Sequence, residues 1–207
     1  MFHRQKLRKL HRISASIIAA YIILHMLNHI VGLAGQQLHM DFMAAIRPLY
    51  RNQIVEPLLL ILLSFQVGSG LAMVVRGWRE RHGRVAWAQA ISGLYLAAFL
   101  LNHVISVLVG RSVLQLDTDF RFAAAGMHVS PYIWFFAPYY ALAVTALFTH
   151  IGCAIFWRLR ADYPLEATRS LAVISVIGFV LGIMIMLSLS GFLYSVDISE
   201  RYLRMYQ

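Results

Sequence analysis

The sequence predicts an all-α fold, an integral membrane bundle of five transmembrane helices forming a single domain, and three observations carry that reading. Of 207 residues, 60% are apolar and only 13% are charged, against roughly a quarter charged in an ordinary soluble domain. Mean hydropathy is +0.67. Five apolar segments, each near the ~20 residues that a bilayer-spanning helix needs, alternate with connections that hold nearly all the charge.

The segments run from 13 to 34, 54 to 75, 86 to 109, 132 to 157 and 170 to 194. The first follows the basic start MFHRQKLRKLHR. It is too long for the core of a signal peptide, about 7 to 15 residues, and no small-residue cleavage site follows it, so it reads as the first membrane helix. The third connection, GRSVLQLDTDFRFAAAGMHVSPYIW, is long and half apolar; a short interfacial helix is expected there, with Tyr132 and Trp134 in an aromatic belt. Asp117 and Asp119 in this stretch lack the remaining ligand spacing of a calcium loop.

Sorting the connections by parity gives an orientation. Arg4, Lys6, Arg8, Lys9 and Arg12, then Arg76, Arg79, Arg81 and Arg84, then Arg158, Arg160 and Arg169 share one side with only Glu80, Asp162 and Glu166. The other side pairs Arg47, Arg51, Arg111, Arg121, Arg201 and Arg204 with Asp41, Glu56, Asp117, Asp119, Asp197 and Glu200. The net charge of +9 therefore falls on one face. The positive-inside rule makes that face cytoplasmic, with the N-terminus in and the C-terminus out. Charge sorted in this way argues for membrane orientation, not nucleic-acid binding.

The lone Cys153 excludes an internal disulfide framework and a Cys-ligated iron-sulfur cluster. The nine histidines divide into two groups. His3, His11, His39, His82 and His128 fall in connections or the tail and read as solvated or headgroup-level residues. His25, His29, His103 and His150 fall inside predicted spans, where an ionisable group is a functional-site candidate by default. Interhelical hydrogen bonding explains a single such histidine. Four of them on three helices, with no intramembrane carboxylate, favour a metal cofactor, and heme needs only one imidazole from each of two facing helices.

An internal repeat orders these positions. At an offset of 78, Ile91-Ser92-Gly93 falls on Ile13-Ser14-Ala15, Ala97-Ala98-Phe99 on Ala19-Ala20-Tyr21, and His103 on His25. At an offset of 84, His150 falls on Gln66, Gly152 on Gly68 and Arg160 on Arg76. The chain thus reads as a duplicated helix pair plus a fifth helix, with one site position per helix: His25, Gln66, His103 and His150. In a rival register, at an offset of 74, Leu101-Asn102-His103-Val104 falls on Leu27-Asn28-His29-Ile30. His29, one turn from His25 on the same face, is then the counterpart; His25 is preferred. At about 1.5 Å per residue, His25 and His103 are expected toward the outer side, and Gln66 and His150 toward the inner side.

Together these residues resemble the cytochrome b membrane anchors of succinate:quinone and quinol:fumarate oxidoreductases in their five-helix, single-chain, diheme form. The likeness runs over nearly the whole chain: Arg8, Leu10 and His11 before helix one, His25 within it, Ser92-Gly93 with His103, and Phe148-Thr149-His150-Ile151-Gly152 in helix four. It implies heme b ligated by His25 and His103, with a second heme on helices two and four. There the chain departs from the pattern, because helix two presents Gln66 where the family has histidine, and an amide is a poor iron ligand. One heme is therefore expected, and the inner site is altered: five-coordinate through His150, or empty with Gln66 and His150 hydrogen-bonded to each other. The resemblance also implies a bacterial inner-membrane protein that exchanges electrons with quinone, and iron-sulfur and flavoprotein subunits docked on the cytoplasmic face.

Arg47 and Arg51, in Arg47-Pro48-Leu49-Tyr50-Arg51, are expected to contact heme propionates, and Arg12, Ser14, Ser16 and Trp78 are candidates for a quinone carbonyl. Two other readings use the same histidines: a non-enzymatic anchor or assembly protein with structural heme, and a His-dependent transporter. The shortage of intramembrane carboxylates and of proline-broken helices speaks against the transporter.

Overall fold

A computed structural model describes residues 2–206, with side chains from Gln5 onward; the side chains of His3 and Arg4 lie outside the described residues. In chain order the helices are α1 (Phe2–Gly32), α2 (Gln36–Tyr50), α3 (Val55–Arg76), α4 (Arg84–Ser112), α5 (Phe120–Ala124), α6 (Ile133–Leu159), α7 (Pro164–Leu189) and α8 (Glu200–Leu203), with short 3-10 turns at Ala125–Met127 and Arg204–Tyr206. No strand occurs among the described residues. Five helices are long and apolar enough to cross a membrane: Gln5–Gly32 within α1, then α3, α4, α6 and α7. They match the five apolar segments of the sequence. Because only 11–22% of each span's most apolar window is buried inside the protein, most of that surface is left for hydrocarbon, and the helices suit a lipid bilayer.

The helix ends differ from the sequence boundaries for local reasons. α1 starts well before residue 13, since Lys, Arg, Gln and Leu are good helix formers and neither glycine nor proline interrupts them. α7 starts at Pro164 instead of 170, with the proline in its first turn, where the missing N–H costs nothing, and with Glu166 beside the positive helix end. It closes at Leu189, ahead of the expected 194, on Ser190 and Gly191.

α2 was not expected. His39 and Met43 are buried on it, Ile46 and Tyr50 are half-buried, and Leu38, Asp41 and Ala45 face outward, the three-to-four spacing of an amphipathic helix. Asn52 joins it to α3: its amide donates to the carbonyls of Pro48 (3.1 Å) and Leu49 (3.3 Å), and its Oδ1 accepts from the N–H groups of Ile54 and Val55. In the third connection the short helix is present as α5. Asp119 caps it, accepting from the N–H groups of Arg121 (2.9 Å) and Phe122 (3.3 Å).

The chain divides into two compact units, Met1–Glu80 and Arg81–Gln207. In the first, α1 packs against α2 and α3; in the second, α6 packs against α4 and α7. Small residues set the α6–α7 approach, Gly178 lying against Phe148 and Gly182 against the backbone of Ala141.

Candidate functional site

In the first unit the side chains of α1 and α2 form a row of rings. Tyr21 stacks on His25 one turn later (centroids 5.8 Å, interplanar 23°), and His25 meets His29 edge-on at 4.9 Å. His29 lies 5.5 Å from the ring of His39 on α2. His39 is 4% exposed, and the amide of Asn28 donates to its Nε2 at 3.0 Å. A side chain at Gly32 would meet the His39 ring at 2.9 Å, so only glycine admits this approach. Burial, helped by the nearby His25, lowers the pKa of His39 to about 4, because a charged imidazole there loses its water.

Tyr50, at the end of α2, packs edge-on against Tyr21 at 5.1 Å. That brings the Arg47–Arg51 segment within one ring of His25. Arg47 donates to the sulfur of Met43 at 3.3 Å, and the Arg51 N–H bonds back to the Arg47 carbonyl.

A second cluster ties α1 to α3. Gln66 donates from Nε2 to the Nε2 of His11 at 2.9 Å, and its Oε1 accepts from the Ser14 hydroxyl at 2.5 Å. The same acceptance leaves the His11 proton on Nδ1, which donates to Ser69 at 2.7 Å; the Ser69 hydroxyl donates to the Gln66 carbonyl at 3.2 Å. Both polar atoms of the Gln66 amide and both ring nitrogens of His11 are therefore engaged within this unit. Of the residues expected near a quinone, Ser14 belongs to this network and Ser16 bonds to the Arg12 carbonyl within its own helix.

In the second unit His150 on α6 meets α4. Its Nδ1 lies 3.1 Å from the Gln89 carbonyl and 3.2 Å from the Ser92 hydroxyl. A proton on Nδ1 satisfies that carbonyl and leaves Nε2 as the unprotonated nitrogen, the tautomer a metal-ligating imidazole uses. Gly93 makes room for the ring: a Cβ there would sit 3.0 Å from its Cε1. Higher on α4, Phe99 stacks on His103 at 5.3 Å and 13°.

These contacts repeat between the units in the registers read from the sequence. Ser14 bonds to Gln66 as Ser92 bonds to His150, at offsets of 78 and 84. The Tyr21–His25 stack recurs as Phe99–His103 at an offset of 78. His11 and Gln89 are also related by 78, so histidine and glutamine exchange helices between the two units. Sequence reasoning placed His11 and His39 among the solvated histidines. The structure engages both, and the repeat itself carried the signal for His11, since its counterpart Gln89 borders the site position on α6.

Among the described residues no group of three or more His, Cys, Asp or Glu side chains converges as a metal cage. Comparison of the chain with protein-family models, with curated proteins and with solved structures returns no match.

Proposed function

We propose that the chain is a heme b-binding membrane cytochrome that carries electrons between a quinone pool and a partner, similar to the cytochrome b subunits of succinate dehydrogenase and fumarate reductase. The observation that carries this reading is the repeated stack of an aromatic ring on a membrane-depth histidine, Tyr21 on His25 and Phe99 on His103. It fits a group held by one imidazole from each repeat better than a polyhedral metal cage. Bound heme supplies reversible one-electron chemistry whose potential follows the axial ligands and the surrounding dielectric. His25 and His103 would hold it, Tyr21 and Phe99 would fix the rotation of their rings, and Arg47 and Arg51 would neutralise its carboxylates. In the inner site, His150 keeps a ligand-type tautomer, whereas Gln66 and His11 are satisfied by each other, so one heme per chain is the reading the donor set supports best.

In this proposal the basic side, bearing Arg76, Arg79, Arg81 and Arg84, faces the cytoplasm of a bacterial cell across its inner membrane. It is where iron-sulfur and flavoprotein partners would dock. The test is a reduced-minus-oxidised spectrum of the purified chain with heme quantified per polypeptide. One heme, lost in His103→Ala, is expected; a preparation without a Soret band, or one whose spectrum survives His103→Ala unchanged, overturns the reading.

A further inference from the structure

The first unit carries a surface groove of about 530 Å³ lined by Lys6, Leu7 and Leu10 of α1 and by Arg76, the last residue of α3. Its lining combines two cations with two leucines and contains no acidic side chain. Lys6 and Leu10 lie one turn apart and share a helix face; Leu10 is 52% exposed. The groove opens where the apolar lengths of two helices give way to Lys and Arg, which is the depth of lipid headgroups. Its walls are also held in place. Deeper along the two helices, the His11–Ser69 and His11–Gln66 bonds clamp α1 to α3.

We propose that this groove is a binding site for the headgroup of one anionic phospholipid. The phosphate lies between Lys6 and Arg76, and the glycerol and upper acyl carbons lie along Leu7 and Leu10. Cations alone would serve an acidic protein equally well. Leucines set between them at the helix ends favour an amphiphile, whose charged and apolar parts are joined over the same short distance. The inference rests on the apolar helices and the groove and is independent of heme.

The full-length chain is reconstituted in nanodiscs of phosphatidylcholine with a minor fraction of phosphatidylglycerol, and the retained lipid is counted by native mass spectrometry. One phosphatidylglycerol is expected to stay with each chain in preference to phosphatidylcholine. Each of Lys6→Gln and Arg76→Gln should lower that preference about fivefold, in line with the attraction of one basic residue to an anionic surface. The charge-keeping pair Lys6→Arg and Arg76→Lys should retain it, and so should Arg158→Gln with Arg160→Gln, in the second unit and outside the groove. Equal retention of both lipids, or equal loss in the Arg158 and Arg160 control, overturns the site. So does occupation by inorganic phosphate in pure phosphatidylcholine discs, or displacement of the lipid by an acidic soluble protein. If the glutamine variants fail to fold, the charge-keeping pair still decides: loss of preference there also overturns the site.

Discussion

Gln66 donates its amide hydrogen to the Nε2 of His11 across the α1–α3 contact, at 2.9 Å. With Ser14 and Ser69 the two residues close a network in which each polar atom has a partner. In the second unit the residue types are exchanged, Gln89 on the first helix and His150 on the second, but there the imidazole Nδ1 donates to the main-chain carbonyl of Gln89 and not to its side chain. The bonds to His11 and Ser14 explain how Gln66 is tolerated at membrane depth. An unpaired amide in hydrocarbon is costly, and His11 supplies the acceptor that its nitrogen requires.

Breaking that pair should separate α1 from α3 before other contacts. His11→Ala leaves the Gln66 nitrogen without its acceptor, and Gln66→Ala removes the partner of one ring nitrogen of His11, while the Ser14 hydroxyl keeps the His11 carbonyl at 3.1 Å. Each is expected to cost about 1–3 kcal/mol. A double-mutant cycle on unfolding midpoints in detergent should return a coupling of about 0.6–1.7 kcal/mol, the range for interhelical hydrogen bonds in membranes. Additive single effects would mean that the bond contributes nothing.

The exchange can also be reversed. His11→Gln combined with Gln66→His reproduces in the first unit the residue types of the second, with the Ser14 hydroxyl placed as Ser92 is. The double variant should be more stable than either single variant. Under the heme proposal it also places an imidazole at position 66 of α3, and the heme content by pyridine hemochrome should rise from one toward two per chain. Unchanged heme content with restored stability would confine the exchange to a packing role.

His39 makes the seating of α2 dependent on pH. It is buried beside Asn28, Gly32, His25 and His29, and its pKa in the folded chain is lowered to about 4, below the ~6.5 of a solvated imidazole. A depressed base favours the folded form in full above the solvated value, and that contribution is lost as pH falls from about 6.5 to about 4. The difference corresponds to roughly 3 kcal/mol. Thermal midpoints recorded from pH 7.5 down to 4.5 should therefore fall steeply for the wild type and less steeply for His39→Gln. Parallel curves would count against His39 as the titrating group.

Gly32 provides a test of the same seat without titration. Gly32→Ala places a Cβ 2.9 Å from the His39 ring, so the ring or α2 must move. Overpacking of this kind costs about 1–3 kcal/mol. Faster protease cleavage within residues 36–50 of Gly32→Ala is the expected readout, and wild-type cleavage rates would show that the approach is not tight.

The spans were legible because hydropathy over twenty residues is a cumulative signal, and the correspondence of Ser14 with Ser92 and of Gln66 with His150 was legible because two fixed offsets relate them, whereas the bond within each pair appears only in the fold. α2 was missed because its stripe of His39, Met43, Ile46 and Tyr50 has a histidine as its innermost member, which a hydropathy reading scores as polar. Burial of that imidazole depends on Asn28 and Gly32, one contributing a hydrogen bond and the other an absent side chain. Neither contribution shows in composition. His11 was hidden for a related reason: it sits among Lys9, Leu10 and Arg12, and only the partner on α3 turns it inward.

Under the heme proposal, the ring stacks favour His25 over His29. Offset 78 relates Tyr21–His25 to Phe99–His103, and the two stacks share nearly the same separation, 5.8 and 5.3 Å. Offset 74 relates Asn28 to Asn102, whose amides take different partners: Asn28 donates to His39, and Asn102 to the Tyr139 hydroxyl. The repeated contact therefore belongs to His25, with His29 bridging it to His39. Under the heme proposal, His25→Ala should abolish the Soret band, whereas His29→Ala should keep it, because His29 acts on the orientation of His25 and not on the iron. The His29→Ala protein should also show a reduction potential shifted from the wild type in redox titration. Loss of the band in His29→Ala with retention in His25→Ala would reverse the assignment and favour the 74-residue register.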